Sequence, residues 1–154
     1  MTLDELEERF KVFEDIEAIK KLKASYAYFI DTKNPEKAGA MFTDDAVADC
    51  GPYGRHEGRI EITKFFKAFP ESYSFYMHML HNPIIEVKGH EATGQWYFEV
   101  PSTNVRENRA IWQSGKYEEE YVKVEGEWKI KKMVVRIYYI TPYDEGWAKT
   151  KMYE

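Results

Sequence analysis

Four side chains in this sequence could do acid–base work together. Tyr26 lies in the apolar stripe of a helical segment, and Asp31 follows five residues later. At 100° per residue the two are rotated by about 140° from one another, which leaves Asp31 off the stripe in the last turn. A carboxylate there opposes the helix dipole by about 0.3–1 kcal/mol. It either begins the turn Asp31-Thr-Lys-Asn-Pro or stands at the mouth of a cavity with its pKa pushed up. His78 and His81 lie on a segment that alternates like a strand. Ser74, Tyr76, His78 and Leu80 share one face, and Phe75, Met77, Met79 and His81 the other. The two imidazoles therefore cannot share a metal through one regular strand. On pattern alone each reads first as a structural histidine, and either is a candidate base. Arg136 stands in an apolar strand, grouped with Trp128, Ile130, Val134 and Tyr138, with Lys132 the exception. A guanidinium is costly there unless paired or facing a cavity. Its natural partner is a buried carboxylate, in a structural pair or a functional one.

The elements that must hold these residues are legible from periodicity. Glu5, Glu8, Lys11 and Glu14 alternate with Leu3, Leu6, Phe10 and Phe13 in an opening helix. Beyond Asp15, Ile16, Ile19, Leu22, Tyr26, Phe29 and Ile30 recur at steps of three and four, a helix with one buried stripe. Asn34 before Pro35 stops it, and Pro35 starts a short helix through Met41. A short strand over 46–49, a loop at Gly51-Pro-Tyr-Gly and a third helix from Arg59 to Phe69, ended by Pro70, follow. The period then changes to two. Strands are expected over 72–80, 84–87, 92–100, 109–124 and 128–140, with turns at Gly89-His90 and Glu125-Gly126. A polar loop covers 101–108, and a tail from Pro142 carries Tyr143, Trp147 and Tyr153. Helices followed by strands imply an α+β layer fold in one domain over 1–154. A curved antiparallel sheet around the amphipathic helix would make a cone with an interior.

Composition narrows the function. The chain has 154 residues, 44% hydrophobic and 32% charged, which excludes disorder. Aromatics reach 16%, which suits strands and a lined cavity. A net charge of −5 offers nothing to a polyanion, so no nucleic acid is expected. The acidic start and the absence of a run of eighteen apolar residues point to a cytoplasmic protein without a membrane partner. Cys50 is alone and reads as a small strand residue. Glu118-Glu-Glu reads as a solvated edge. Phosphate loops and nucleophile elbows are absent.

The order of elements resembles the SnoaL-like domains of the nuclear transport factor 2-like superfamily. The stretches DIEAIKKLKASYAYFID (15–31), MHMLHNP (77–83), ATGQWYFE (92–99) and EGEWKIKKMVVRIYY (125–139) are similar to those of the bile acid 7α-dehydratases. Scytalone dehydratases resemble the chain more distantly. The resemblance implies a catalytic tyrosine at Tyr26, aspartate at Asp31, histidine at His78 rather than His81, and arginine at Arg136. It implies substrate contacts at Trp96, Phe98, Val100 and Tyr138. Val100 stands where those dehydratases carry an acidic residue, and Glu99 beside it points to the other face.

The expected function is that of a cofactor-independent, metal-free lyase. Its substrate would be a hydroxylated, apolar, ring-containing molecule such as a steroid or polyketide. His78 would be the base, Asp31 its orienting partner, Tyr26 the donor to a developing oxyanion, and Arg136 the cation that keeps Asp31 ionised. Two rivals are an isomerase or cyclase in the same cone, and a binding or association module without chemistry. Residues 109–124 and 128–139 are apolar on both faces, so self-association through the outer sheet face is expected. The resemblance favours three copies over two.

Overall fold

Thr2 and Glu5 start the first helix. The Thr2 hydroxyl accepts from the Glu5 N–H at 3.2 Å, and the Glu5 carboxylate accepts from the Thr2 N–H at 2.8 Å. From there α1 (Leu3–Asp31) runs unbroken until Lys33 takes a positive φ and Asn34 precedes Pro35. The computed structural model describes residues 1–153. Only the second half of α1 belongs to the core. Ile19, Lys23, Tyr26, Ala27 and Ile30 are buried, and residues 1–14 are all exposed.

After α1 come α2 (Pro35–Gly39), β1 (Phe42–Asp49), a single 3-10 turn (Gly51–Tyr53), β2 (Arg55–Glu57) and α3 (Arg59–Ser72). Five strands complete the chain: β3 (Tyr73–Tyr76), β4 (Met79–Lys88), β5 (Glu91–Asn104), β6 (Arg109–Val124) and β7 (Glu127–Pro142). The sheet order is β2-β1-β7-β6-β5-β3, and β4 also pairs with β5. β4 covers residues 91–99 of β5 and β3 covers 102–104, so one edge of a long strand carries two partners in succession. The sheet curves around α1 and α3 as an α+β cone.

Four details depart from expectation. The sheet is mixed, because β1 runs parallel to β7. α3 does not end at Pro70 but continues to Ser72; a proline in the last turn removes one N–H from a helix that is already finishing. β5 runs through Pro101 to Asn104, so the expected polar loop is half strand. The strand expected over 72–80 breaks at residues 77–78, and His78 lies in the gap.

A fifth departure decides the site. Opposite β6, the partners step from Glu120↔Lys132 to Tyr121↔Ile130, which leaves Lys131 as an extra residue. Such a bulge reverses which face every later side chain takes. Trp128 and Ile130 point inward, and beyond the bulge it is Met133, Val135 and Ile137 that do so. A second bulge follows at Tyr138, opposite Gly115. A Cβ on Gly115 would lie 2.0 Å from the Arg136 carbonyl oxygen, so only glycine permits that close approach.

Candidate active site

Asp31 sits in the final turn of α1, where the helix leaves the interior. The break between β3 and β4 brings the backbone of residue 78 against it. The His78 N–H donates to both carboxylate oxygens, at 3.1 and 2.9 Å, and the ring Nδ1 donates to Oδ1 at 2.6 Å. Three donated bonds hold one carboxylate in place. Because Nδ1 spends its hydrogen on Asp31, the neutral ring keeps its lone pair on Nε2. The side chains of His78 and Asp31 are 10% and 16% exposed, largely dry but reachable. Tyr76 meets the His78 ring edge-on at 6.1 Å.

His78 lines an interior cavity of about 60 Å³. Tyr26, Phe98, Val100 and Tyr117 form one part of its wall. Tyr53, Gln113, Phe65 and Phe69 form another, and Met133, Val135 and Ile137 of β7 complete it with Cys50. Tyr26 packs edge-on against Phe42, Phe66 and Tyr117. Burial pushes the Tyr26 and Tyr117 phenols up, so both are neutral donors at any physiological pH. Burial also pushes the Cys50 thiol up to about 12, which makes it a poor nucleophile.

Tyr53 arrives on the 3-10 turn. Its hydroxyl donates to Gln113 Oε1 at 2.6 Å and lies 3.0 Å from the Tyr73 hydroxyl. Gln113 donates on to Ser102 at 3.4 Å. This chain puts a polar rail along one side of an otherwise apolar cavity.

Beneath Tyr26 lies a second charged pair. Lys23 Nζ is 2.5 Å from Glu119 Oε1, and both side chains are fully buried. The other Glu119 oxygen accepts from the Tyr121 hydroxyl, which in turn accepts from Trp96 Nε1 at 3.0 Å. The ammonium also lies 3.6 Å from the Tyr117 ring centroid and 4.2 Å from that of Tyr26. Burial pulls the Lys23 pKa down, and Glu119 opposes that shift.

Of the expected catalytic residues, Tyr26, Asp31 and His78 converge, and Arg136 does not. The bulge at Lys131 turns Arg136 outward, where its side chain is 59% exposed and its Nε donates to Glu118 at 3.0 Å. Asp31 is held by the N–H groups of His78 instead. Among the expected substrate contacts, Phe98 and Val100 line the cavity. Trp96 is buried but contributes to the Glu119 network, away from His78. Tyr138 is on the outer face, edge-on to Tyr97 at 6.3 Å. His81 is outside as expected, beside Glu99 at 3.2 Å. The run 118–120 is not a uniformly solvated edge, because its middle residue is the buried Glu119.

Sequence reasoning missed Lys23, Tyr53, Gln113, Tyr117 and Glu119. Lys23 falls on the stripe Ile19, Tyr26 and Ile30, and Gln113, Tyr117, Glu119 and Tyr121 share the inner face of β6. A polar residue in phase with a buried stripe is the signal that was available. Among the described residues, no group of three or more His, Cys, Asp or Glu could hold a metal ion. No helix is long and apolar enough to cross a membrane.

A helix-filled cone of this kind is the architecture of the nuclear transport factor 2-like fold, and in this chain the His78–Asp31 pair stands inside it. The chain belongs to the SnoaL-like domain family, which matches residues 11–134. A protein provisionally named scytalone dehydratase, from Novosphingobium aromaticivorans, superposes with a TM-score of 0.79 at 25% identity, over 85% of this chain and 89% of that one. A type 2 hexachlorocyclohexane dehydrochlorinase superposes at 0.80 with 22% identity, over 84% and 89%. The type 3 enzyme from Novosphingobium barchaimii superposes at 0.79 with 21% identity, over 84% and 90%. The last two likenesses concern the fold.

Proposed function

We propose that the protein is a lyase that eliminates water from a hydroxylated, largely apolar ring compound without a cofactor. The observation that carries this reading is the His78–Asp31 pair, its free Nε2 belonging to a ring that lines an apolar cavity with phenol donors.

The chemistry follows from those groups. Nε2 takes a proton from a carbon beside a carbonyl. The C–H electrons pass to the carbonyl as an enolate, which then returns them as a carbon–carbon double bond while the C–O bond on the next carbon breaks. The departing hydroxide takes a proton back from the imidazolium and leaves as water. Asp31 holds the ring and stabilises it while charged. The Tyr26 phenol donates to the oxyanion that forms while the proton is away. The likeness to a protein provisionally named a dehydratase supports an elimination.

The substrate must reshape the site. A cavity of 60 Å³ holds a few waters, whereas small-molecule sites run to about 300–1,000 Å³. The wall that can yield is the turn carrying Tyr53. Gly51 and Gly54 flank it with φ of 57° and 95°, and it is not part of the sheet.

The test is a mass-spectrometric screen of hydroxylated steroids and phenolic ring compounds with the wild-type protein and His78→Ala. The expected result is loss of one water with the wild type only. A product of unchanged mass would assign an isomerase or cyclase. Binding without turnover of any compound would assign a binding module.

A further inference from the structure

The first half of α1 carries a second apolar stripe that its own fold does not use. Leu3, Leu6, Phe10 and Phe13 are 69%, 49%, 60% and 62% exposed. Their spacing of three, four and three is the a/d repeat of a two-heptad seam. At 100° per residue they point about 150° around the helix from Ile19, Lys23, Tyr26 and Ile30. The seam therefore faces away from the body of the chain and leaves room for a partner. The helix there has a capping box at Thr2 and Glu5 and a Glu8–Lys11 ion pair of 2.7 Å. Past Phe13 the face turns polar, where Glu17 pairs with Lys20 at 2.6 Å. The seam thus has a defined length.

We propose that residues 2–14 of α1 pair in parallel with the same segment of a second copy of this chain. The flanking charges select both the partner and the direction. With Leu3 and Phe10 at a, and Leu6 and Phe13 at d, the e positions are Glu7 and Glu14 and the g positions are Thr2 and Arg9. In a parallel pair each g residue faces the following e residue of its partner. Arg9 then meets Glu14, and Thr2 meets Glu7, each twice by symmetry. An antiparallel pair that keeps the four apolar layers sets Glu7 against Glu7 and Arg9 against Arg9. Like charges thus oppose the antiparallel arrangement and leave the parallel one. This surface is separate from the cavity and from the outer sheet face, so the proposal stands or falls independently of the chemistry.

Single cysteines test it, because the native Cys50 is buried. Leu3→Cys and Phe13→Cys are prepared separately, oxidised mildly and run on a non-reducing gel. Parallel pairing predicts a disulfide-linked dimer from each variant alone, at several times the yield of a Glu8→Cys control off the seam. Cross-linking only when the two variants are mixed would mean antiparallel helices and would overturn the proposal. Yields no higher than the control would overturn it too. In the Phe13→Cys background, Arg9→Glu should cut the yield several-fold and adding Glu14→Arg should restore it; a loss that the second change leaves unrestored rejects the assigned register. Leu6→Glu with Phe10→Glu should abolish cross-linking while circular dichroism stays that of the parent, since both side chains are exposed. Unchanged cross-linking in that variant refutes the seam.

Discussion

Two of the acid–base pairs that tie α1 to the rest of the cone have surroundings that give them opposite characters. Lys23 and Glu119 lie at the closed end with no exposed surface. Every strong valence there is filled: one Glu119 oxygen by the ammonium, the other by Tyr121, and the ammonium rests on two aromatic rings. Asp31 lies about two turns further along α1, and it and His78 are partly open. Asp31 is saturated by His78, but His78 keeps one ring nitrogen unspent. A charged pair becomes a reagent when one partner is fixed and the other retains a free valence facing space. It becomes a strut when both are consumed.

The sharpest way to break this contrast is at the strut. Lys23→Ala or Glu119→Ala leaves an unpaired buried charge and should cost about 3–5 kcal/mol, read by urea unfolding. Lys23→Met with Glu119→Leu should recover most of that loss, because an apolar replacement removes both desolvation penalties. If the single changes cost no more than a surface substitution, the pair is not a strut.

The reactive pair should behave in the reverse manner. His78→Ala should lower turnover by about 10²–10⁴-fold while the unfolding midpoint moves little. Asp31→Asn should lose a comparable share of rate, because the amide no longer enforces the Nδ1–H tautomer. The double variant should be scarcely slower than either single one. Additive losses in that cycle would mean that the two residues do not act as a unit.

Alkaline pH gives a third reading, through the buried tyrosines. Burial raises the Tyr117 and Tyr121 phenols above their ordinary 10.0. In the unfolded chain these groups ionise near pH 10, and in the folded chain they do not. Their contribution is therefore complete below pH 10 and is lost as pH climbs beyond it, by about 1.4 kcal/mol per pH unit for each tyrosine. Lys23, with its pKa lowered, acts in the opposite sense up to its ordinary 10.5. Comparing Tyr117→Phe with the parent cancels that term. The variant's stability should fall less steeply above pH 10, and equal slopes would show that Tyr117 ionises in the folded state.

Much of this was legible in the sequence. The stripe from Ile19 to Ile30 placed Tyr26 inside, and the proline after Asn34 placed Asp31 at a helix end. Period two gave the sheet. The parallel pairing of β1 with β7 was not legible, because a short strand carries no sign of its partner's direction. The phase of β7 was lost to a single extra residue. Lys132 was the outlier in the expected pattern of that strand, and a lone exception to strict alternation is how a bulge looks from sequence. The error propagated to Arg136 and Tyr138, the two site residues beyond it. Lys23 and Glu119 were missed for a different reason. A charge in phase with an apolar stripe is read as solvent-facing unless its partner is known, and these partners are 96 residues apart.

The smallest expected effect concerns Arg136, and it separates the two accounts of how Asp31 stays in place. If a buried guanidinium held that carboxylate, Arg136→Ala would strand a charge and cost both stability and rate. In the structure the guanidinium is on the outer face with Glu118, and an exposed pair of that kind contributes about 0–1 kcal/mol. Asp31 takes its three hydrogen bonds from His78, two of them from a backbone N–H that no side-chain substitution removes. Arg136→Ala should therefore move the unfolding midpoint only within the range of a surface change and leave turnover at the parent level. Its Cβ stays in place, so the close approach of Gly115 to the residue 136 carbonyl is untouched. A loss of rate approaching that of Asp31→Asn would mean that β7 reaches the cavity in the phase its apolar pattern suggested, with no bulge at Lys131.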